Sequence, residues 1–247
     1  MGAFSDLLSA PFADLAGVRK GSGQRALDVG CGTGALGAEL VRRLGPGAVV
    51  AADPSPSFAA AARQRLPGVD VREAAAEQLP WHDSEFDVTL AQLVVHFMAE
   101  PGAGIREMVR VTRPGGVVAA TVWDFGGARA PLSTFWQAVR DLDPDAETEE
   151  ALTGARSGDL VTLLTGAGLG EVEQAELDVS RPYPDFDAWW EPYLLGVGPA
   201  GDHVARLDDQ ARARLRERCR EILPAGPFTI DAVAWAARGV RLPTGQK

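Results

Sequence analysis

The feature that most constrains the fold is a glycine-rich turn that directly follows a short apolar run. Residues 26–34 read ALDVGCGTG, and the next seven residues, ALGAELV, have the composition of a helix. Glycine at such a turn lets the backbone approach a ligand with no Cβ atom in between. Asp53 ends the next apolar run, about 20 residues after the turn, and an acid there can accept hydrogen bonds from two ribose hydroxyls. The segment therefore predicts a nucleoside site.

The pattern downstream predicts a parallel, doubly wound α/β sheet, because short apolar runs alternate with helical segments. The ligand of such a sheet lies at the carboxyl ends of the strands. The glycine turn, Asp53, Glu77 and Gln92 all fall at or beyond these ends. The predicted strands are 25–30, 48–52, 69–73, 86–91 and 117–123, and the predicted helices are 2–18, 34–44, 55–66, 104–112, 132–142 and 159–167.

The glycines alone leave the nucleoside open. Residues 32–37, GTGALG, match the G-x-G-x-x-G pattern of dinucleotide sites. Asp28, however, lies two residues before the first glycine, and a carboxylate is unfavourable beside a pyrophosphate at a helix N-terminus. The ammonium group of an amino acid tolerates that carboxylate or uses it.

Five motifs in order resemble the class I S-adenosylmethionine-dependent methyltransferases, in particular the small-molecule type with a compact core. They are LDVGCGTG at 27–34, DPSPSF at 53–58, AEQLPW at 76–81, SEFDVT at 84–89 and VTRPGG at 111–116. The resemblance covers about half of the chain. It implies a Rossmann-like seven-stranded sheet, mostly parallel with an antiparallel edge hairpin. It also implies S-adenosylmethionine as methyl donor, S-adenosylhomocysteine as product, and a small-molecule acceptor methylated on O, N or C in secondary metabolism.

The resemblance also implies a domain organisation. We expect one domain over 1–247, with a helical cap at 1–22, a core at 23–181 and 227–242, and a helical insertion at 182–226. Strands 170–181 and 228–238 form the expected edge hairpin, and the insertion holds two helices, 186–195 and 208–223. We interpret the insertion as a lid over the strand ends. The alternative is a purely structural cap or a dimer surface.

The resemblance assigns roles to the residues of the donor site. The backbone of the glycine turn lies against the methionine moiety, Asp28 helps to hold its ammonium group, and Asp53 binds the ribose, although a helix N-cap is the alternative for Asp53. Two departures from the family pattern, Ala3 for an arginine and Ala75 for an aspartate, weaken the expected contacts. The predicted donor residues are Asp28, Gly30, Cys31, Gly32, Gly34, Asp53, Pro54, Phe58, Ala76, Glu77 and Gln92.

His96 is the candidate general base, since an imidazole near its free pKa accepts a proton at neutral pH. The alternative is a structural histidine packed by Val94 and Phe97. The spacing places Gln92 and His96 on one face if the segment is helical. Aromatic residues near the cleft predict an apolar acceptor pocket, with ordinary core packing as the alternative. They are Trp123, Phe135, Trp136, Trp189, Trp190 and Tyr193.

Composition limits the partners. The formal net charge is −10 and no basic stripe is visible, which argues against a nucleic-acid partner. Two cysteines, Cys31 and Cys219, form neither a disulfide framework nor a metal cluster, and no metal is predicted. No apolar run reaches the length of a membrane span and no secretory signal is present, so we expect a cytoplasmic monomer or homodimer without a membrane partner.

Two other functions stay open at this point. One is an NAD(P)-dependent oxidoreductase on a Rossmann fold, which relies on the glycine match at 32–37. The other is a non-catalytic or repurposed protein that binds S-adenosylmethionine without transferring methyl, which Ala3 and Ala75 favour.

Overall fold

The computed structural model describes residues 2–149 and 152–243 and contains one seven-stranded sheet. Its strands are β1 (Ala26–Val29), β2 (Val49–Asp53), β3 (Asp70–Glu73), β4 (Phe86–Gln92), β5 (Thr112–Trp123), β6 (Leu169–Tyr183) and β7 (Phe228–Arg241). The order across the sheet is β3-β2-β1-β4-β5-β7-β6. Strands β1 to β5 pair in parallel, and β7 is antiparallel to both β5 and β6. The predicted fold class is confirmed.

The helices cover both faces of this sheet. They are α1 (Gly2–Leu15), α2 (Ala35–Leu44), α3 (Pro56–Arg65), α4 (Pro101–Val111), α5 (Ser133–Leu142), α6 (Asp159–Gly166), α7 (Phe186–Trp190), α8 (Gly198–Arg206) and α9 (Asp209–Ile222). Short 3-10 helices occupy Pro46–Ala48, Val95–Phe97 and Glu191–Leu195. Each helix among the described residues is too short or too polar to cross a membrane.

Two hydrophobic clusters explain why the central strands are buried on both faces. On one face, Leu27 of β1 belongs to the same buried cluster as Ile105 and Met108 of α4. On the other face, Leu90 of β4 belongs to a cluster with Phe12 of α1, and Leu36 and Leu40 of α2 complete it. Strands covered on both sides read as continuous apolar runs, which is why the sequence locates them well.

The segment between β6 and β7 holds more helices than we predicted. Helix α8 was missed, because Gly198, Pro199 and Gly201 resemble a loop in the sequence. Proline is tolerated in the first turn of a helix, since that N–H group has no partner within the helix. The second half of the predicted helix 186–195 is a 3-10 helix, Glu191–Leu195.

The segment that holds these helices begins and ends at the edge of the sheet formed by the carboxyl ends of the parallel strands. Because β7 is antiparallel to both neighbours, β6 runs in the same direction as β5 and ends at the same edge. The β6–β7 pairing reaches Tyr183 and Phe228, whereas β5 ends at Trp123, opposite Ala234. The hairpin therefore extends beyond the end of β5, and helices α7 to α9 connect its two strands. That they act as a lid stays a prediction, as do the domain boundaries.

Candidate functional site

The glycine turn after β1 is held in place and exposes its backbone. Gly30, Gly32 and Gly34 have φ values of 68°, 53° and 85°, which glycine adopts without strain. The Cys31 N–H donates to the carbonyl of Ala52 at 2.9 Å, which ties the turn to β2. A Cβ atom on Gly30 would lie 2.2 Å from the side chain of Val94, whereas one on Gly32 would meet nothing within 4 Å. The turn is thus packed on one side and open above Gly32.

Asp53 lies beside this open face at the end of β2. Its Oδ2 accepts a hydrogen bond from the Gly32 N–H at 2.8 Å, and its Oδ1 accepts one from the Ser55 N–H at 2.9 Å. The N-cap of α3 is Ser55, whose hydroxyl accepts from the N–H of Phe58. The N-cap alternative for Asp53 is therefore wrong. Each carboxylate oxygen retains a further lone pair, so the group can accept two hydroxyl donors without moving.

Asp28 lies within the sheet below the glycine turn. Its carboxylate is buried near the backbone N–H of Gly37 in α2, which offsets part of the cost of burial, and its Oδ2 has no hydrogen-bond partner. The pKa of Asp28 is raised to about 7, mainly by burial and to a lesser extent by the nearby charge of Asp53. A buried acid with an unused oxygen favours a cationic neighbour and disfavours a phosphate. Cys31 contributes its backbone only, since burial raises the pKa of its thiol and keeps it protonated.

The loop after β3 borders the same region. The Ala74 N–H donates to the carbonyl of Asp53 at 3.2 Å, which places the loop next to the end of β2. Ala76 is buried, and Glu77 accepts through Oε1 from the N–H of Glu100 at the start of α4 at 3.1 Å. Glu77 thus fixes the neighbouring loop in this structure.

On the other side of Asp53, Pro54 is exposed and the Phe58 ring is 41% exposed in the first turn of α3. The two residues follow β2 directly, at the edge of the sheet where Asp53 lies. An exposed ring at this edge is available for stacking on a flat ligand.

The expectation that Gln92 and His96 share a helix face is wrong. Gln92 is the last residue of β4, Leu93 has a φ of 59°, and Val95–Phe97 forms a single 3-10 turn. The Gln92 side chain instead turns towards α1. Its Nε2 donates to the carbonyl of Ser5 and to the hydroxyl of Ser9, both at 3.1 Å. Nothing in the sequence indicates this contact, because it joins residues more than 80 positions apart.

His96 lies against two aromatic rings at the end of β4. Its ring centroid is 4.0 Å from that of Phe97 and 6.1 Å from that of Phe125. Its Nδ1 is buried without a partner. Burial lowers the pKa of His96 to about 4, so the expectation of an imidazole near its free pKa is wrong. At neutral pH the ring is uncharged and free to accept a proton, but it is a weaker base than we expected.

The predicted aromatic pocket falls into two groups. Trp123 ends β5 and makes a T-shaped contact with Phe4 of α1, at 6.2 Å between centroids. In the other group, Phe135 stacks on Tyr193 at 4.7 Å. These rings are buried and pack against one another, as the alternative of core packing describes. The second group, named the lid cluster below, consists of Phe135, Trp136, Trp189, Trp190 and Tyr193.

A buried carboxylate that no sequence motif indicates borders the lid cluster. Glu149 accepts a hydrogen bond from Trp136 Nε1 at 2.6 Å, and burial raises the pKa of this carboxyl. Asp124, directly after β5, is also indicated by no motif. It is buried, and it accepts from the Gly127 N–H at 2.8 Å and from Trp235 Nε1 at 2.9 Å. It therefore fixes the loop that follows β5.

Two further features lie apart from the predicted donor residues. A surface groove of about 460 Å³ runs between α7 and α9 and contains none of those residues. In the part of the chain that the structure describes, no three His, Cys, Asp or Glu side chains are grouped as metal ligands.

Comparisons with known proteins match the part of the chain that holds the glycine turn and Asp53. Residues 27–120 match the family model described as a methyltransferase domain. An uncharacterised protein of Mycobacterium tuberculosis is 30% identical over 203 residues, covering 77% of this chain and 70% of the relative. The ubiquinone/menaquinone biosynthesis C-methyltransferase UbiE of Pseudomonas putida is 39% identical over 110 residues, which are 42% of each chain.

A solved structure shares the fold. The phosphoethanolamine N-methyltransferase 2 of Haemonchus contortus, in complex with phosphomonomethylethanolamine and S-adenosylhomocysteine, superimposes with a TM-score of 0.59. The match has 15% sequence identity and covers 95% of this chain and 52% of that one.

Proposed function

The chain belongs to the class I S-adenosylmethionine-dependent methyltransferases, and on that premise we propose that it methylates a small, largely apolar acceptor. The observation that carries the donor assignment is the arrangement around Asp53. Three groups lie together at the ends of β1 and β2. They are the open backbone of the glycine turn, the Asp53 carboxylate fixed by two N–H groups, and the buried Asp28 with one unpartnered oxygen. The open backbone suits a ligand group that lies directly against the turn, the fixed carboxylate suits a cis-diol, and the buried acid suits a cation.

Each group of the site has a proposed counterpart in S-adenosylmethionine. Space above Gly32 admits the methionine backbone, and the ionised form of Asp28 favours its ammonium group. Asp53 accepts from both ribose hydroxyls, and the exposed ring of Phe58 offers a face to the adenine. A pyrophosphate in the same place would put two negative charges above Asp28, which argues against a nicotinamide dinucleotide.

The protein's own contribution to transfer is positioning, exclusion of water and proton removal. When bound, S-adenosylmethionine supplies an activated methyl group: the S–CH₃ bond breaks with its electron pair left on sulfur, and the acceptor atom that gains the methyl loses a proton. We assign the removal of that proton to His96, which is uncharged at neutral pH and lies in the 3-10 turn after β4. Phe4 covers Trp123 at the end of β5 and shields this corner of the site from solvent.

An apolar acceptor follows from the surroundings. Phe125, Trp123 and Phe97 lie at the ends of β4 and β5, where the acceptor must approach the methyl group. The net charge of −10 disfavours a polyanionic acceptor such as nucleic acid. UbiE, a relative over 42% of this chain, is named for quinone biosynthesis, which agrees with a small apolar acceptor.

A competition experiment tests the donor assignment. Purified protein is titrated with S-adenosylhomocysteine in the presence and absence of excess NAD. We expect micromolar binding of S-adenosylhomocysteine that NAD leaves unchanged. Binding of NAD with no binding of S-adenosylhomocysteine contradicts the proposal and favours an oxidoreductase. Binding of S-adenosylhomocysteine with no methyl transfer to any acceptor in a broad screen indicates a donor-binding protein that is not a catalyst.

A further inference from the structure

Buried polar atoms without partners are concentrated at the ends of β4 and β5. In the described part of the chain, Gln92 Oε1, Trp123 Nε1 and His96 Nδ1 are buried and make no hydrogen bond. Gln92 is 9% exposed and Trp123 is 0% exposed. Folded proteins satisfy the large majority of such groups, so three at one edge of a sheet need an explanation. A ligand that supplies the missing partners is the simplest one.

The geometry places the first two atoms on the same face of the sheet. Gln92 of β4 pairs with Thr121 of β5, and Trp123 lies two residues beyond Thr121. Side chains two residues apart on a strand point to the same face. Consecutive residues of α1 contact both side chains: Phe4 packs on Trp123, and the Ser5 carbonyl accepts from Gln92.

The orientation of the Gln92 amide is settled by its partner in α1. The Ser5 carbonyl can only accept a hydrogen bond, so the nitrogen of the amide must face it. The oxygen, Oε1, is consequently directed away from that contact and accepts nothing from the protein. Trp123 Nε1 can only donate, and a T-shaped contact with Phe4 offers it a weak N–H···π interaction at most.

We propose that Gln92 Oε1 and Trp123 Nε1 form a hydrogen-bonding pair that selects the methyl acceptor. The complementary ligand offers a donor to Gln92 Oε1 and an acceptor to Trp123 Nε1. Phe4 packs on Trp123, and Phe97 and Phe125 pack on His96 at the same edge of the sheet, so the rings available there favour a flat molecule. The acceptor class is therefore a planar conjugated ring that carries a hydroxyl group next to a second hydroxyl or carbonyl oxygen. This inference rests on the proposed function, because it needs the methyl donor at the end of β1.

Trp81 provides a matched control within the chain. Its Nε1 is also buried without a partner, its ring is 6% exposed, and it makes a T-shaped contact with Phe86 at 5.7 Å. Phe86 is the first residue of β4, so this tryptophan lies at the opposite edge of the sheet from Gln92. Replacing either indole with a phenyl ring removes one unpartnered N–H and a similar volume.

The test uses protein saturated with S-adenosylhomocysteine and two probes, a naphthalenediol with adjacent hydroxyls and its dimethyl ether. With ¹⁵N-labelled tryptophan, Trp123→Phe assigns one of the six indole signals. We expect the diol to shift that signal and to leave the Trp81 signal in place. By calorimetry, the diol should bind about tenfold more weakly to Trp123→Phe and unchanged to Trp81→Phe, as expected for one lost hydrogen bond.

The dimethyl ether isolates Gln92, because it keeps the acceptor oxygens and lacks the donors. The diol should bind wild-type protein about tenfold more tightly than the ether, and this preference should disappear in Gln92→Met. The inference is overturned, and the proposed function is not, if the diol binds Trp123→Phe and Trp81→Phe equally. The same holds if the diol does not bind wild-type protein saturated with S-adenosylhomocysteine. If S-adenosylhomocysteine itself does not bind, the proposed function fails, and this inference fails with it.

Discussion

The carboxylate of Asp53 accepts a hydrogen bond from the backbone N–H of Gly32 at 2.8 Å, which joins the end of β2 to the glycine turn after β1. A second hydrogen bond from Ser55 holds the other carboxylate oxygen. The two residues thus form a preorganised site whose geometry does not depend on a ligand. Preorganisation reduces the entropy that binding must overcome, so small changes here should have large effects on affinity.

Replacing Gly32 with alanine should weaken S-adenosylhomocysteine binding at least about tenfold, because the new methyl group occupies the open face of the turn. The control is Gly23→Ala, at the opposite end of β1. Gly23 also has a positive φ, 74°, and open space around it. Both variants should lose about 1–2 kcal/mol of stability from the unfavourable φ. By calorimetry, only Gly32→Ala should bind S-adenosylhomocysteine more weakly. Equal affinities of the two variants for this ligand would show that it does not touch Gly32.

Asp28 should contribute a loss of stability as pH rises from about 4 to about 7, because its pKa is raised to about 7. The lowered pKa of His96 acts in the opposite direction, so the contribution of Asp28 is read as the difference between wild type and Asp28→Asn. In this range the folded state keeps the proton of Asp28 and the unfolded state releases it, so the unfolded state gains relative stability. The loss is on the order of 4 kcal/mol. Urea unfolding of Asp28→Asn should lack this pH dependence, whereas the exposed Asp70→Asn should retain it.

The same group should make donor binding depend on pH. Ionised Asp28 favours the ammonium group, so affinity for S-adenosylhomocysteine should increase as pH rises through about 7. In Asp28→Asn the affinity should be lower and flat across this range. A wild-type affinity that is constant from pH 6 to pH 8 contradicts the assignment of Asp28 to the ammonium group.

At saturating S-adenosylmethionine, the kcat of methyl transfer should not fall near pH 6.5, the usual pKa of histidine, because burial lowers the pKa of His96 to about 4. The acidic limb of the rate profile should appear near pH 4 to 5. His96→Gln should reduce kcat about a hundredfold or more if the imidazole is the base, with S-adenosylhomocysteine affinity unchanged. The control is His82→Gln, an exposed histidine, which should leave kcat as it is. An acidic limb at pH 6.5 that persists in His96→Gln would assign the base elsewhere.

The buried pair beside the lid cluster should matter for stability. Trp136→Phe removes the one hydrogen bond that Trp136 donates to Glu149, and we expect a loss of about 1.5–3 kcal/mol at pH 8. Glu149→Gln keeps an acceptor and removes the ionisation. Because burial raises the pKa of Glu149, this variant should be at least as stable as wild type at pH 8 and lose its advantage at low pH. The exposed Glu147→Gln serves as control, and chemical denaturation at both pH values measures the difference.

The fold was largely predictable because its signals are local. Pro67 and Gly68 mark the end of α3, and Ser55 marks its start, where the structure shows a capping hydroxyl. Strands buried on both faces appear as continuous apolar runs, so β1, β2 and β4 were located to within one or two residues. Helix α8 was missed because its glycines and proline have the composition of a loop.

The site was less predictable because its properties come from contacts between distant parts of the chain. The anchoring of Gln92 by Ser5, and the burial that lowers the pKa of His96, depend on how α1 and the loop after β5 pack. The aromatic residues illustrate the same limit. Their positions along the sequence predicted a place near the cleft, but only the packing separates Trp123 from the lid cluster.

The measurement that tests the central claim most directly is a calorimetric titration with S-adenosylhomocysteine of wild-type protein, Asp53→Ala and Glu73→Gln. Glu73 is a half-exposed acid on β3, paired in register with Asp53 and bonded to Arg63. We expect micromolar or tighter binding by wild type and Glu73→Gln, and a loss of at least about a hundredfold in Asp53→Ala, since two hydroxyl contacts to a charged group are lost. Equal binding by all three proteins, or none by folded wild type, would contradict this expectation.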